Sequence, residues 1–185
     1  MTTKKSTSLT TVQAETGVKL DAGLAGGVVK CVFDTVAVAT TDIDDNDIIL
    51  LNCPVPSNSR IKRVLVYTDD LDSNGSPAIA FDVGLYAYSK FTSVTSGTAT
   101  VNAADAVLDR DIIASASTVG QSASTVGVSV EYEARNIDSI KQRCWELLGY
   151  DADPHTRFNV ALTVETVAAT AVAGDITVVV EYVDC

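Results

Sequence analysis

The sequence has very few histidine and aromatic residues. Its 185 residues include one tryptophan and one histidine, His155, and only 6% of them are aromatic. A catalytic pair of serine or cysteine with histidine would have to use His155, which lies in the loop-like segment DADPHTRF. No G-x-G-x-x-G, phosphate-binding loop or H-E-x-x-H pattern occurs. The sequence therefore predicts neither an enzyme nor a cofactor site.

Positive charge is also scarce, with 13 Lys and Arg against 24 Asp and Glu and a formal net charge of −11. An acidic surface repels phosphate backbones and anionic membranes, so we expect no nucleic-acid partner and no membrane partner. No apolar run reaches the roughly 18 residues that span a bilayer. The start, MTTKKSTSLTTVQAETG, lacks the apolar stretch of a secretory signal. We therefore expect the chain to be made and folded in a cytoplasm.

The four cysteines form no C-x-x-C pair, and none is spaced with the histidine as a zinc ligand would be. We interpret Cys31, Cys53 and Cys144 as reduced thiols in the core or at its rim. Cys185 ends the chain, where an exposed thiol could cross-link copies in an assembly.

What the chain does contain is β-forming sequence. Hydrophobic residues make up 46% of it, mostly Val, Ala, Ile and Leu beside many Thr, and this composition favours strands. Residues 1–27, rich in Thr, Ser, Gly and Lys, predict a flexible N-terminal arm, and residues 28–185 predict a single β-sandwich domain. We expect an all-β, antiparallel sandwich or jelly roll with one or two short helices.

The individual elements follow from alternation and turn signals. The predicted strands are Val28–Thr40, Asp47–Val55, Arg60–Thr68, Ala78–Tyr88, Val128–Ala134, Phe158–Thr170 and Gly174–Asp184, with the last two as a hairpin. Gly84 predicts a bulge or a point of close packing. A short helix is predicted over Asn102–Ile113. A second helix is predicted in DSIKQRCWELLGY, capped by Asp138 or Ser139 and ended by Gly149.

The segment DDLDSNG is the one candidate for a metal site. It matches the opening of a calcium loop, D-x-D-x-N-G, through Asp70, Asp72, Asn74 and Gly75. Such a loop needs a bidentate Glu at its twelfth position, and here that position is Phe81. Because Asn-Gly is a strong hairpin signal, we interpret the segment as a turn between two strands. The alternative is a non-helical calcium site with Asp70, Asp72 and Asn74 as ligands, completed by Asp82 or a neighbouring subunit.

Two further acidic patterns have simple interpretations. The segment DIDDND, residues 42–47, has carboxylates but no Gly at its sixth position, and we interpret it as a solvated turn. Glu131 and Glu133 lie two apart in a predicted strand, where they could present paired carboxylates. We interpret them as solvated side chains on an exposed strand face.

Parts of the sequence resemble small structural proteins of tailed bacteriophages. The segments concerned are DIILLNCPVPSNSRIKRVLVYTDDLDS, FDVGLY and WELLGYDADPHTRFNVALTVETVAATAVAGDITVVVEYV. The matching residues of the last segment are Trp145, Leu147, Gly149, Asp153, Pro154, Phe158, Ala168–Ala171, Gly174, Ile176 and Tyr182. The likeness covers residues 45–90 and 140–184, and it is a pattern of turns and strands without a catalytic signature.

The resemblance implies a virion protein, namely a capsid decoration (cement) protein or a related head protein. Such proteins are sandwich or jelly-roll modules that bind as homotrimers to the major capsid protein on the capsid exterior. The chain would then stabilise the head by non-covalent binding across coat-protein junctions, after synthesis in the host cytoplasm. The alternative is a tail, fibre or neck module that binds a host-surface glycan, with or without calcium.

Overall fold

A computed structural model describes residues 28–185, and the predicted N-terminal arm lies outside the described residues. The described chain forms strands built largely from β-branched residues, which pack well on a pleated surface. These strands are β1 (Val29–Val38), β2 (Ile48–Ile49), β3 (Pro54–Pro56), β4 (Arg60–Thr68), β5 (Ala80–Ala87), β6 (Phe91–Thr95), β7 (Thr98–Asn102), β8 (Val107–Ser117), β9 (Val128–Ser129), β10 (Arg157–Thr166) and β11 (Gly174–Val183).

Two antiparallel sheets hold most of these strands. Sheet A has the order β1-β11-β4-β9, and sheet B has the order β2-β10-β5-β8 with β3 also paired to β10. The strands β6 and β7 form a separate hairpin. This arrangement confirms the predicted all-β antiparallel sandwich. No helix within residues 28–185 is long and apolar enough to cross a membrane.

The core lies between the two sheets and is made of fully buried aliphatic and aromatic side chains. Sheet A contributes Val64, Val66, Ile176, Val178 and Val180, and sheet B contributes Phe81, Val83, Leu85, Phe158, Val160, Leu162 and Val164. Each such side chain contributes about 2 kcal/mol of burial free energy relative to an exposed one. β4 contains a bulge. Arg63 lies opposite Glu181, but Ile61 lies opposite Tyr182, so β4 has one more residue than β11 at this point. The extra residue allows Ile61 and Val64 both to be buried.

The predicted helix over Asn102–Ile113 is wrong. Asn102 ends β7, a turn follows in which Asp105 has φ 61°, and Val107 begins β8. The segment has adequate helix propensity, but the edge of β5 offers it backbone partners, and this tertiary pairing overrides local propensity.

The predicted strand Val128–Ala134 is also too long, because the strand β9 covers only Val128–Ser129 and the chain then turns.

The predicted second helix is broken into two pieces. A 3-10 helix spans Ile137–Lys141 and is capped by Asn136 rather than Asp138 or Ser139, and one turn of α-helix, α1, spans Cys144–Leu147. Gly149 does adopt the left-handed conformation predicted for it, with φ 68°.

The predicted C-terminal hairpin is wrong as well, because β10 pairs with β5 in sheet B whereas β11 pairs with β1 and β4 in sheet A.

Candidate functional site

The segment DDLDSNG is organised around one buried side chain, Asp72, which is 1% exposed. Its Oδ2 accepts backbone N–H bonds from Ala78 at 2.6 Å, Ile79 at 3.2 Å and Ala169 at 2.8 Å. Its Oδ1 accepts the N–H of Thr170 at 2.8 Å and that of Asn74 at 3.3 Å. The carboxylate therefore ties its own loop to the loop that follows β10.

These contacts keep Asp72 ionised. Burial alone raises the pKa of the Asp72 carboxyl, but the backbone N–H groups of Ala78, Thr170, Ala169 and Ile79 favour the anion and hold the pKa well below its usual range. A buried carboxylate with several N–H donors needs no other counter-charge.

The segment does connect two strands, β4 and β5, as predicted, but the hairpin that Asn-Gly signals does not form. The segment leads from β4 in sheet A to β5 in sheet B, so it crosses the sandwich instead of joining two paired strands. Neither Asn74 nor Gly75 has the positive φ that a tight hairpin turn requires. Asn74 instead accepts the N–H of Ser76 at 2.9 Å and donates its amide to the hydroxyl of Thr170 at 3.1 Å.

The calcium alternative stays a prediction. Asp70, Asp72 and Asn74 do lie in one loop, and Oδ1 of Asp70 accepts the N–H of Asp72 at 3.2 Å. Both oxygens of Asp72, however, already accept backbone N–H bonds, which compete with a cation for the same lone pairs. Within residues 28–185, no group of three or more His, Cys, Asp or Glu side chains is placed to hold a metal ion.

The remaining chemical candidates do not converge. His155 is an exposed loop residue whose Nδ1 lies 3.2 Å from a carboxylate oxygen of Asp153. The interpretation of Glu131 and Glu133 as solvated side chains on a strand face is wrong for Glu131, which lies in a turn, is buried and accepts bonds from Val64 and Ser129. Glu133 is exposed. Burial raises the pKa of the Cys144 thiol to about 12, so this thiol is protonated at neutral pH.

The cysteines remain free thiols in the structure. Cys53 and Cys144 are buried, Cys31 is exposed, and Cys185 is half-buried, with its sulfur against the guanidinium of Arg60.

On the outer face of sheet B, the edge strand β8 bulges over its neighbour β5. A Cβ placed on Gly84 would collide with the backbone of Asp109 and Arg110, so β8 can approach this closely only because residue 84 is glycine. This confirms the predicted close packing at Gly84. Arg110 then forms ion pairs with Asp82, at 2.7 Å, and with Glu165. The outward side of β5 is therefore covered by the bulged part of β8, between the residues paired with Val83 and Leu85.

Among residues 28–185, the outer face of sheet A is apolar along its centre and partly exposed. Phe33 on β1 lies opposite Val179 on β11, which lies opposite Leu65 on β4, so the three side chains form one row across the sheet. Phe33 is 72% exposed, and Val179 and Leu65 are half-buried. Tyr67, in the next row, packs its ring against the backbone of Gly127. We call Phe33, Leu65, Tyr67 and Val179 the sheet A outer face.

This face continues to an unpaired strand edge. β1 pairs with β11 over ten consecutive residues without a bulge, and within residues 28–185 its other edge has no strand partner. Long, regular edges of this kind are sites where a further chain can pair. This surface could not be predicted from the sequence. In VVKCVFDTVAV, apolar residues occur on both faces of the strand, so the pattern does not show which face packs against the second sheet.

Comparison with known proteins relates the fold to two viral capsids. No family model and no curated protein matches the chain. A chain in the capsid of Ralstonia phage GP4 has a TM-score of 0.57 and 22% identity, over 86% of this chain and 86% of that chain. A chain in the Cyanophage Pam1 capsid asymmetric unit has a TM-score of 0.54 and 22% identity, over 100% of both chains. At this level of identity, the likeness shows a shared fold.

Proposed function

We propose that this chain is a structural protein of a bacteriophage virion, namely a capsid decoration protein that binds the exterior of the head. The observation that carries the proposal is the fold shared with chains in two phage capsids, over 86% and 100% of this chain. The role has no need of catalysis, a cofactor, nucleic acid or a membrane. Its partners are the major capsid protein and two further copies of the same chain.

The geometry supports a passive, non-covalent mechanism. Sheet B packs one face on the core, and the bulged part of β8 covers β5 on its other face. Sheet A presents the row of Phe33, Val179 and Leu65, whose transfer from water would favour binding by roughly 25 cal/mol per Å² of apolar area. Exposed aromatic side chains are frequent anchors of protein interfaces, and Phe33 is the most exposed aromatic side chain of this face. We propose that this face contacts the coat protein across subunit junctions.

The proposed function is tested by stripping and rebinding. Heads of the phage that encodes this chain are freed of the chain with mild denaturant and mixed with the purified protein, and binding is measured by co-sedimentation. We expect saturable binding and an increase in the temperature at which the heads disrupt. Light scattering of the free protein should give three times the 19.4 kDa chain mass.

Substitutions connect that binding to the sheet A outer face. Phe33→Asp should weaken binding at least tenfold, because it places a charge within the apolar row. Val101→Asp is the matched control, since Val101 is 63% exposed on the β6–β7 hairpin, away from this face. Heads that do not rebind the wild-type protein, while particle tails do, would instead favour the host-surface glycan alternative.

A further inference from the structure

Arg135 is a buried cation with incomplete hydrogen bonding. It lies in the turn region after β9, is 7% exposed, and has no ion pair with any described residue. Its terminal nitrogens make long contacts with the carbonyl oxygens of Ile61, at 3.5 Å, and Ser139, at 3.3 Å. Its Nε–H has no hydrogen-bond partner among residues 28–185. An arginine side chain stays charged at any physiological pH, so this arrangement is costly.

The nearby carboxylate does not satisfy this arginine. Glu131 is buried, but its side chain is engaged by the backbone N–H of Val64 and by the hydroxyl of Ser129. The guanidinium is therefore hydrogen-bonded by neutral carbonyl oxygens, and its charge attracts an anion brought close to it.

Arg135 also lines a cavity of about 390 Å³, together with Tyr132, Ile137 and Ile140. A volume of this order lies within the range of sites that hold a small ligand or a pair of side chains. The site thus combines an apolar wall with one buried positive charge, and this chemistry complements a carboxylate carried next to an apolar group.

We propose that this cavity binds a segment of a partner protein in which an acidic side chain lies beside an apolar one. A protein segment is favoured over a free carboxylate because the rim is itself apolar and exposed. Ile137 is 76% exposed and Tyr132 is 45% exposed, and a macromolecular partner would cover both. The proposal rests on the proposed function only in supposing that the chain meets a partner protein in an assembly.

The test uses the purified chain and the peptide acetyl-Leu-Glu-Leu-amide, followed by NMR. We expect the Arg135 Nε–H resonance and the methyl resonances of Ile137 and Ile140 to shift saturably with peptide concentration. The matched peptide acetyl-Leu-Gln-Leu-amide has the same shape without the charge, and it should bind at least tenfold more weakly. Equal shifts with both peptides, or no shift with either, would overturn the proposal.

A protein variant provides the second arm. Ile137→Asp places a carboxylate at the mouth of the cavity, and because Ile137 is mostly exposed the fold should tolerate it. This variant should lose binding of the acidic peptide, whereas Val101→Asp should retain it. Retained binding in Ile137→Asp would contradict the assigned location. None of these measurements uses phage heads, so their failure is distinguishable from failure of the proposed decoration role.

Discussion

Thr170 donates its backbone N–H to Oδ1 of Asp72 at 2.8 Å, across 98 residues of sequence. The contact joins two of the loops in which the chain crosses between the sheets, the one from β4 to β5 and the one from β10 to β11. Backbone bonds from Ser73 to Thr170 and from Val172 to Leu71 join the same two loops. Asp72 therefore fastens one end of the sandwich, and this structural role accounts for the carboxylate without a bound ion.

Replacing Asp72 should destabilise the protein. In Asp72→Asn the negative charge is lost, and the amide group directs N–H donors at the backbone N–H groups that surround it. We expect the Tm to fall by about 5 °C or more. The control is Asp70→Asn, because Asp70 is exposed and accepts only one long backbone bond. Differential scanning calorimetry of the two variants compares them, and equal Tm values would contradict the role given to Asp72.

The same carboxylate should contribute to acid sensitivity. Its pKa in the folded chain lies below the value of about 3.9 in the unfolded chain. The stabilisation it provides is therefore fully present above that unfolded pKa and is lost as the pH falls below it towards the folded pKa. Urea titrations between about pH 6 and pH 2 should show a steeper loss of unfolding free energy in the wild type than in Asp72→Asn. Parallel curves would show that Asp72 does not titrate as described.

Gly84→Ala should be strongly destabilising. The added Cβ would collide with the backbone of Asp109 and Arg110, and backbone atoms cannot move aside as a flexible side chain can. Overpacking of this kind costs about 3 kcal/mol of unfolding free energy. Gly75→Ala is the matched control, because a Cβ added at residue 75 would have no atom within 4 Å and its φ is not positive, so we expect a change within about 0.5 kcal/mol. Urea denaturation measures both, and a neutral Gly84→Ala would mean that the backbone of Asp109 and Arg110 does not lie against β5 at this residue.

Calcium should have little effect on the folded chain. If the oxygens of Asp72 are committed to backbone N–H groups, then Asp70 and Asn74 are too few ligands for a calcium ion, which takes six to eight oxygens. We expect about 10 mM calcium to leave the Tm within about 1 °C of its value in magnesium. A rise of several degrees that Asp70→Asn removes would instead establish the calcium site, since ligands that bind only the folded state raise its stability.

The strands were predictable where local pattern determines them. β1, β4 and β5 begin and end within two residues of the predicted segments, because β-branched runs bounded by turns need little tertiary information. The pairing of β10 and β11 was not predictable, since a short Ala-rich connection joins a hairpin and a crossover between sheets equally well. The role of Asp72 was hidden for a related reason, because its partners Ala169 and Thr170 are distant in sequence.

The two surfaces with functional consequences were the least predictable. Phe33 is apolar and lies in a strand, so the sequence alone assigns it equally well to the core. Arg135 directly follows a segment predicted to be strand, where a solvated arginine is the ordinary expectation. Only the arrangement of the sheets shows that Phe33 is exposed and Arg135 is buried.

The most direct test of the account is a high-resolution cryo-electron microscopy map of particles of the phage that encodes this chain. We predict three copies of the sandwich around each occupied site on the outer surface of the head, with Phe33, Val179 and Leu65 against the coat protein and no ion density among Asp70, Asp72 and Asn74. The account is contradicted if the chain lies at the tail tip with an ion in that loop, or if it lies on the head with the sheet A outer face towards solvent.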